Sequence, residues 1–454
     1  MIFFSINDPN YKVDFKTAIT IGQAPDGSLF FPEKIPKIDQ KTIQKFAKQD
    51  YHEIAFEVLK PFLCPEIPIE ILQKLTQSAY DFAPEIEEIK NFKANTFVAR
   101  MDTGPTAAFK DFAARLMAKL FEYSLQKQTN NKVINILVAT SGDTGSAVAS
   151  AFHGLENINI SVLFPLEEIS STQRKLMTTL GKNVKCFGVE GKFDDCQRMV
   201  KTAFVDKDLQ KINLSSANSI NIGRLLPQIV YYFSIASRLP NFSKEHQKLV
   251  FAVPSGNFGN LMGALFAYKM GLNIKKIIAS TNSNNSFTKF LENRKYQPIN
   301  PSINCLSNAM NVGSPNNIFR IVEFFEGRMQ TNFEILNKPN FEKMQELIFA
   351  QSFSDEETKN AMKTTFEKGL ILEPHGAVGF LGLQKYWQKD TSQDYISVLL
   401  ETASPAKFPD EMEQILNYIP KKPNSIKSSE NLPEKYQKIS SNYEEFKSLL
   451  LASV

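Results

Sequence analysis

Lys110 lies in the stretch MDTGPTAAFKDFAARLMAKL, which begins at Met101. Phe109, Phe112, Leu116 and Leu120 recur at helical spacing, so Lys110 falls between two core-facing aromatics near a helix start. Gly104-Pro105-Thr106 supplies the break before it: a flexible residue, a fixed φ, then a hydroxyl able to cap free N–H groups. An ammonium beside such a seam is desolvated, which lowers its pKa and frees the amine as nucleophile or base. The same residues also describe a lysine whose stem covers apolar surface while its head reaches water. Locally, both readings stand.

Three polar loops carry the next chemistry. In SGNFGN, Gly256 and Gly259 let the backbone approach a ligand, and N–H groups at a helix start make an anion nest for which phosphate is the natural guest. SGDTG repeats the logic, with the Ser141 and Thr144 hydroxyls as further donors. In SSANSINIGR, Asn218 and Asn221 can donate and accept, and Arg224 can grip a phosphate with two N–H groups. Taken singly, each loop also reads as a tight strand–helix turn or a capped helix start. His375, in EPHGAVG, reads as a hydrogen-bonded core residue. None of the four histidines has metal-site spacing, so no metal is expected.

The elements that must position these loops follow from an alternation that begins at Lys132. Apolar runs at 133–140, 158–165, 184–191, 249–254, 275–281 and 395–409 have strand length, and helical segments separate most of them. Such βαβ order implies parallel sheets covered on both faces, with ligands at the carboxyl ends of the strands. The loops holding Ser141, Gly256 and Thr402 all fall at such ends. NIGRLLPQIVYYFSIASRL reads as one long helix. Residues 1 to about 95 read as mostly helical, and the Lys/Ser/Glu/Pro-rich chain after Pro420 reads as a peripheral tail.

Composition narrows the class. The chain has 454 residues, 43% of them hydrophobic and 22% charged, with a formal net charge of +4. Those values suit a globular protein of two or three domains and offer no polyanion-binding surface. Cys64, Cys186, Cys196 and Cys305 lack zinc-like spacing and read as free thiols of a reducing compartment. The start lacks a basic n-region and no apolar run approaches the ~18 residues of a membrane span. A cytoplasmic protein with no membrane or nucleic-acid partner is expected.

Two phosphate-like sites, one lysine near a helix start and no metal or dinucleotide fingerprint leave a short list; pyridoxal phosphate meets the first two, since its aldehyde needs a lysine and its phosphate a nest. The order of motifs resembles the threonine synthase family, within the tryptophan-synthase-β-like class of pyridoxal-phosphate enzymes. APDGSLFFPE, GPTAAFKDF, ATSGDTGSAVA, SSANSINIGRLLPQ, VPSGNFGN, LSNAMNVGSPNN, EPHGAVG and TASPAKF occur in family order, to about Asp410. Asp102 stands where many members look to have histidine, and Asn311 where aspartate is common.

The resemblance implies an α/β fold of type II: two open parallel-sheet domains with an additional, mainly helical N-terminal region. The expected division is 1–95, then 96–130 with 220–420 as the large domain, 131–219 as the small domain, and 421–454 as the tail. It implies that Lys110 binds the cofactor as a Schiff base, that Gly256, Asn257, Phe258, Gly259 and Asn260 hold its phosphate, and that Thr402 meets the pyridine nitrogen. Asp143 would lie near the ring substituents, and Ser141, Thr144, Asn218 and Arg224 would hold the substrate's carboxylate and phosphate. The implied reaction is O-phospho-L-homoserine plus water giving L-threonine and phosphate, by a monomer or homodimer. A phospho-lyase that adds no water, and a cofactor-binding relative without turnover, are the competing readings.

Overall fold

The apolar runs become the inner strands of two parallel sheets. The computed structural model describes all residues except 65, 127–132, 210, 241, 243–246, 393 and 453–454. The small sheet has five strands in the order Gln437–Ser440, Val184–Glu190, Ile158–Pro165, Ile134–Ala139, Asn213–Ser216, and every neighbouring pair is parallel. The large sheet runs Ile348–Ser352, Ile274–Thr281, Lys248–Pro254, Tyr395–Glu401, Thr96–Arg100, Glu85–Glu88. Its pairs are parallel except the last, where Glu85–Glu88 lies antiparallel to Thr96–Arg100. Ile134–Ala139 and Tyr395–Glu401 are buried along their whole length. Burial on both faces explains why they read as unbroken apolar runs rather than alternating ones.

Residues 1–95 are mainly helical, and they also form a three-stranded antiparallel sheet, Lys12–Asp14, Ile2–Ser5, Phe30–Pro32. The helices Tyr51–Leu63 and Ile69–Ala79 pack toward the helix Lys110–Gln126, and the Tyr80 hydroxyl donates to the Phe112 carbonyl at 2.7 Å. The expected long helix divides into Ile222–Leu225 and Pro227–Arg238. Pro227 is the reason: it has no N–H to bond back into the first segment and starts the second. Pro227–Arg238 is buried from Pro227 to Ser237 and packs against Lys110–Gln126, Tyr51–Leu63 and Gly259–Met270. It is the beam on which the site's helices rest.

The tail after Pro420 is not peripheral. Gln437–Ser440 pairs with Val184–Glu190, and Phe446 and Leu450 of the helix Tyr443–Leu451 are buried beside Phe187 and Met199. Its short, polar strand hid this role, because an edge strand needs only one apolar face. Glu85–Glu88 likewise joins the large sheet from within the expected N-terminal region. The boundary expected between 130 and 131 lies outside the described residues.

Candidate active site

Lys110 is the first residue of its helix, and the turn before it is built around Asp111. Asp111 accepts from the Thr106 N–H at 2.8 Å and from the Thr106 hydroxyl at 2.8 Å. Thr106 therefore does not cap the helix, as its position in the sequence implies; its hydroxyl is spent on a carboxyl group buried one turn in. A bridge between Ala108 and Ala403, and a bond from the Phe109 N–H to the Thr402 carbonyl at 2.9 Å, tie this turn to the end of Tyr395–Glu401. Thr402 and Lys110 are thus fixed to one another through backbone. The Lys110 ammonium stands 4.7 Å over the Phe109 ring. Burial, with the nearby Lys407 and Arg224 charges, pulls its pKa down to about 8, against the opposing pull of Asp143 and Glu373.

All twelve residues expected at the site line one cleft of about 840 Å³, counting the solvent at its mouth. In the SGNFGN loop, Phe258 adopts the left-handed conformation at φ 57 and caps the helix Gly259–Met270. Phe258 packs its ring on Phe287 and so offers backbone only. Gly256 is required by close approach: a Cβ there would meet the Ala309 carbonyl at 3.0 Å and Met310 Cα at 3.1 Å. The Asn260 side-chain oxygen accepts from both Tyr231 and Tyr232 hydroxyls at 2.6 Å. Asn257 is held in turn by Asn316 and Asn317.

In SGDTG, the Thr140 hydroxyl accepts from the Gly142 and Gly145 N–H groups, which bends the loop into the helix Asp143–Phe152. Gly142 sits at φ 126, and a Cβ would fall 2.6 Å from the Gln173 carboxamide. Asn218 donates to the Ala139 carbonyl at 2.8 Å, leaving its side-chain oxygen buried with no partner among the described residues. Arg224, 4% exposed, donates from one terminal nitrogen to the Ala217 carbonyl at 2.8 Å, while its Nε has no partner. Burial brings Arg224 down to about 10 despite Asp111 and Tyr231 nearby. Asn221, buried, caps Ile222–Leu225 and donates to the Ile19 carbonyl, so it holds the N-terminal region rather than a ligand.

Residues 2–80 match the family described as the threonine synthase N terminus, and 376–450 that described as threonine synthase, C-terminal. Between them, 82–400 match the family of pyridoxal-phosphate dependent enzymes. Threonine synthase of Buchnera aphidicola from Schizaphis graminum is 39% identical over 453 residues, covering 99% of this chain and 100% of that protein. The chain belongs to the threonine synthase family. The crystal structure of threonine synthase from Escherichia coli matches with a TM-score of 0.89 at 34% identity over 100% of both chains. The pyridoxal-phosphate-bound threonine synthase from Brucella melitensis gives 0.88 at 29% identity, covering 100% of this chain and 99% of that one.

Against that family background, residues that motif spacing did not single out support the cleft from behind Asp143. Lys407, with no exposed surface, places its ammonium 2.7 Å from Asp143 Oδ1. Gln173 donates to the same oxygen at 3.0 Å. Burial alone would raise the Asp143 carboxyl, but the Lys407, Lys110 and His375 charges hold it far below the usual carboxylate range. His375 is buried and hydrogen-bonded as expected, and it also walls the cleft: Nε2 accepts the Ala309 N–H at 3.1 Å, while Nδ1 meets Glu373. Behind Thr402, burial and the neighbouring Glu373 push Glu401 well above the usual range. Asp102 and Asn311, two positions singled out in the sequence, lie outside the cleft lining. Asn311 accepts from Asn282 and donates to Asn304, a pattern that suits an amide better than a carboxylate.

The donor set fits pyridoxal phosphate. A depressed lysine amine, a helix N-terminus opened by Gly256 and Phe258, and the unmet donors of Arg224 and acceptor of Asn218 converge on one cavity. Buried polar atoms without partners are costly, and so mark where a polar ligand belongs.

Proposed function

We infer that this protein is a pyridoxal-phosphate-dependent threonine synthase, converting O-phospho-L-homoserine and water to L-threonine and phosphate. The observation that carries the assignment of roles is Lys110: a desolvated amine at a helix start, facing an anion nest across one cleft. When bound, the cofactor supplies an aldehyde for covalent capture of amines and a ring that spreads negative charge.

The roles of the chain's residues follow from their chemistry. The Lys110 amine would hold the cofactor and, when free of it, would take the proton from the substrate Cα. The N–H groups at Gly256 to Asn260 hold the cofactor phosphate at the start of Gly259–Met270. Because the Asn260 oxygen is already engaged by two tyrosines, Asn260 contributes N–H groups alone. The Thr402 hydroxyl meets the ring nitrogen; a neutral partner leaves that nitrogen largely unprotonated. Ser141, Thr144 and Asn218 hold the substrate carboxylate, and Arg224 turns its unmet Nε to the substrate phosphate. With a Cβ proton also removed, phosphate would leave from Cγ; protons would then return to Cγ and Cα, and water would add at Cβ, which balances to threonine and phosphate.

The proposed setting is cytoplasmic, as a monomer or homodimer. Its support is the free state of the four cysteines and the lack, among the described residues, of any helix long and apolar enough to cross a membrane. For the division of the chain we retain 96–130 with 220–420 and 131–219, move 85–88 from the N-terminal region 1–95 to the large sheet, and assign 437–440 to the small sheet. Incubation with phosphohomoserine and cofactor, followed by amino-acid and phosphate analysis, tests the function. Threonine and phosphate in equal amounts support it. A keto acid with ammonia would instead mean elimination without addition of water.

A further inference from the structure

Lys407 is fully buried, yet three separate segments converge on it. Its ammonium donates to the Thr106 carbonyl at 2.9 Å, in the turn before Lys110, and pairs with Asp143 at the start of Asp143–Phe152. Its own carbonyl accepts from the Ser170 hydroxyl at 2.7 Å, at the cap of the helix Ser171–Thr178. Gln173, bonded to Asp143, also accepts from Asn308 on the opposite wall. Lys407 therefore sits where the large sheet's last turn, the lysine loop and two small-sheet helices meet.

Withdrawing two charges from water costs free energy that their attraction only partly offsets, so a buried pair is weak glue. Its position gives it another use. Asp143 and Lys110 line the same cleft, and Lys407 stands behind Asp143. The charged groups that act on Lys110 are Asp143 and Glu373, which favour an ammonium, and Lys407 and Arg224, which oppose it. His375 also lines the cleft, and Asp111 acts on Lys407's side of the turn.

We propose that Lys407 is a positioning residue: by pairing with Asp143 it keeps that carboxylate from holding Lys110 as a paired ammonium, and so leaves the amine free to react. The inference rests on the reading of Lys110 as the lysine that carries the cofactor. Its test uses the full-length chain freed of cofactor, acylated competitively with acetic anhydride across the neutral and alkaline range. Mass spectrometry of the Lys110 peptide then gives the pH of half-reactivity.

In the unmodified chain that midpoint lies near 8. In Lys407→Met it rises by about one pH unit, which lowers Lys110 reactivity at neutral pH about tenfold. Lys407→Arg restores the original midpoint, and adding Asp143→Asn to Lys407→Met cancels the rise. Should Lys407→Met fail to fold, Lys407→Gln, which can still donate to Asp143 and Thr106, carries the same expectation. An unchanged or lowered midpoint in either folded variant overturns the proposal. Borohydride reduction of the cofactor-loaded chain separately identifies the attached lysine; attachment elsewhere refutes the functional reading and leaves the midpoint measurement intact.

Discussion

At the scale of single residues, Lys110 carries a measurable cost. Its amine is held near 8, below the ordinary lysine value, so the folded chain binds fewer protons than the unfolded chain between about pH 8 and 10.5. Stability of the cofactor-free chain should therefore rise with pH through that window as the penalty for the buried ammonium is lifted. Lys110→Met should be more stable than the original at neutral pH, with the gap closing toward pH 10; urea unfolding at the two pH values measures it. Lys110→Ala should abolish turnover and borohydride-trapped cofactor while the circular dichroism spectrum stays unchanged. For Arg224, the proposed bond from its unmet Nε to the substrate phosphate is charge-assisted and worth ~1.5–3 kcal/mol. Arg224→Met should then raise KM for phosphohomoserine about tenfold or more, with the cofactor spectrum preserved, as steady-state kinetics will show. Glycines, hydroxyls and charge picked out the loops of Ser141, Gly256 and Arg224, whereas the parts expected of Asp143, Asn257, Phe258, Asn260 and Thr402 came from the family resemblance; all twelve expected residues line the one cleft. Lys407 was not legible: a lysine in PAKF looks like surface until Asp143, from a distant loop, is seen against it.

At the scale of elements, legibility followed burial on both faces. Strands such as Ile134–Ala139 and Lys248–Pro254 announced themselves, since a strand covered on both sides has no reason to alternate. Asn213–Ser216 and Gln437–Ser440 were missed because they are short and polar at the sheet's edges. Likewise the stretch around Pro227 was read as one long helix, though the proline's missing N–H divides two. The turn at Gly142 gives the sharpest element-level prediction. Its φ of 126 and the 2.6 Å approach of Gln173 leave no room for a side chain. Gly142→Ala should cost ~1–3 kcal/mol through backbone strain alone. It should also push Gln173 off Asp143, so a fall in melting temperature should accompany a fall in kcat. A lower melting temperature with unchanged kcat would mean that Gln173 serves the fold and not the site.

At the scale of the whole molecule, the chain is stitched by residues far apart in sequence. Arg320, fully buried, donates to the Phe30, Ser219 and Ile220 carbonyls, joining the N-terminal sheet to a site loop. The C-terminal segment does the same for the small sheet, where Phe446 has no exposed surface. Phe446→Ala should destabilise by ~3–5 kcal/mol, visible in thermal unfolding although the residue lies outside the cleft. The strand Gln437–Ser440 matters also for the order of events during synthesis. Val184–Glu190 is made early, but its outer row of N–H and C=O groups waits for a partner some 250 residues downstream. Until residues 437–440 have emerged from the ribosome, that row is a sticky margin open to any passing strand. A nascent chain stalled short of residue 437 is accordingly the form most prone to clump and most in need of a chaperone.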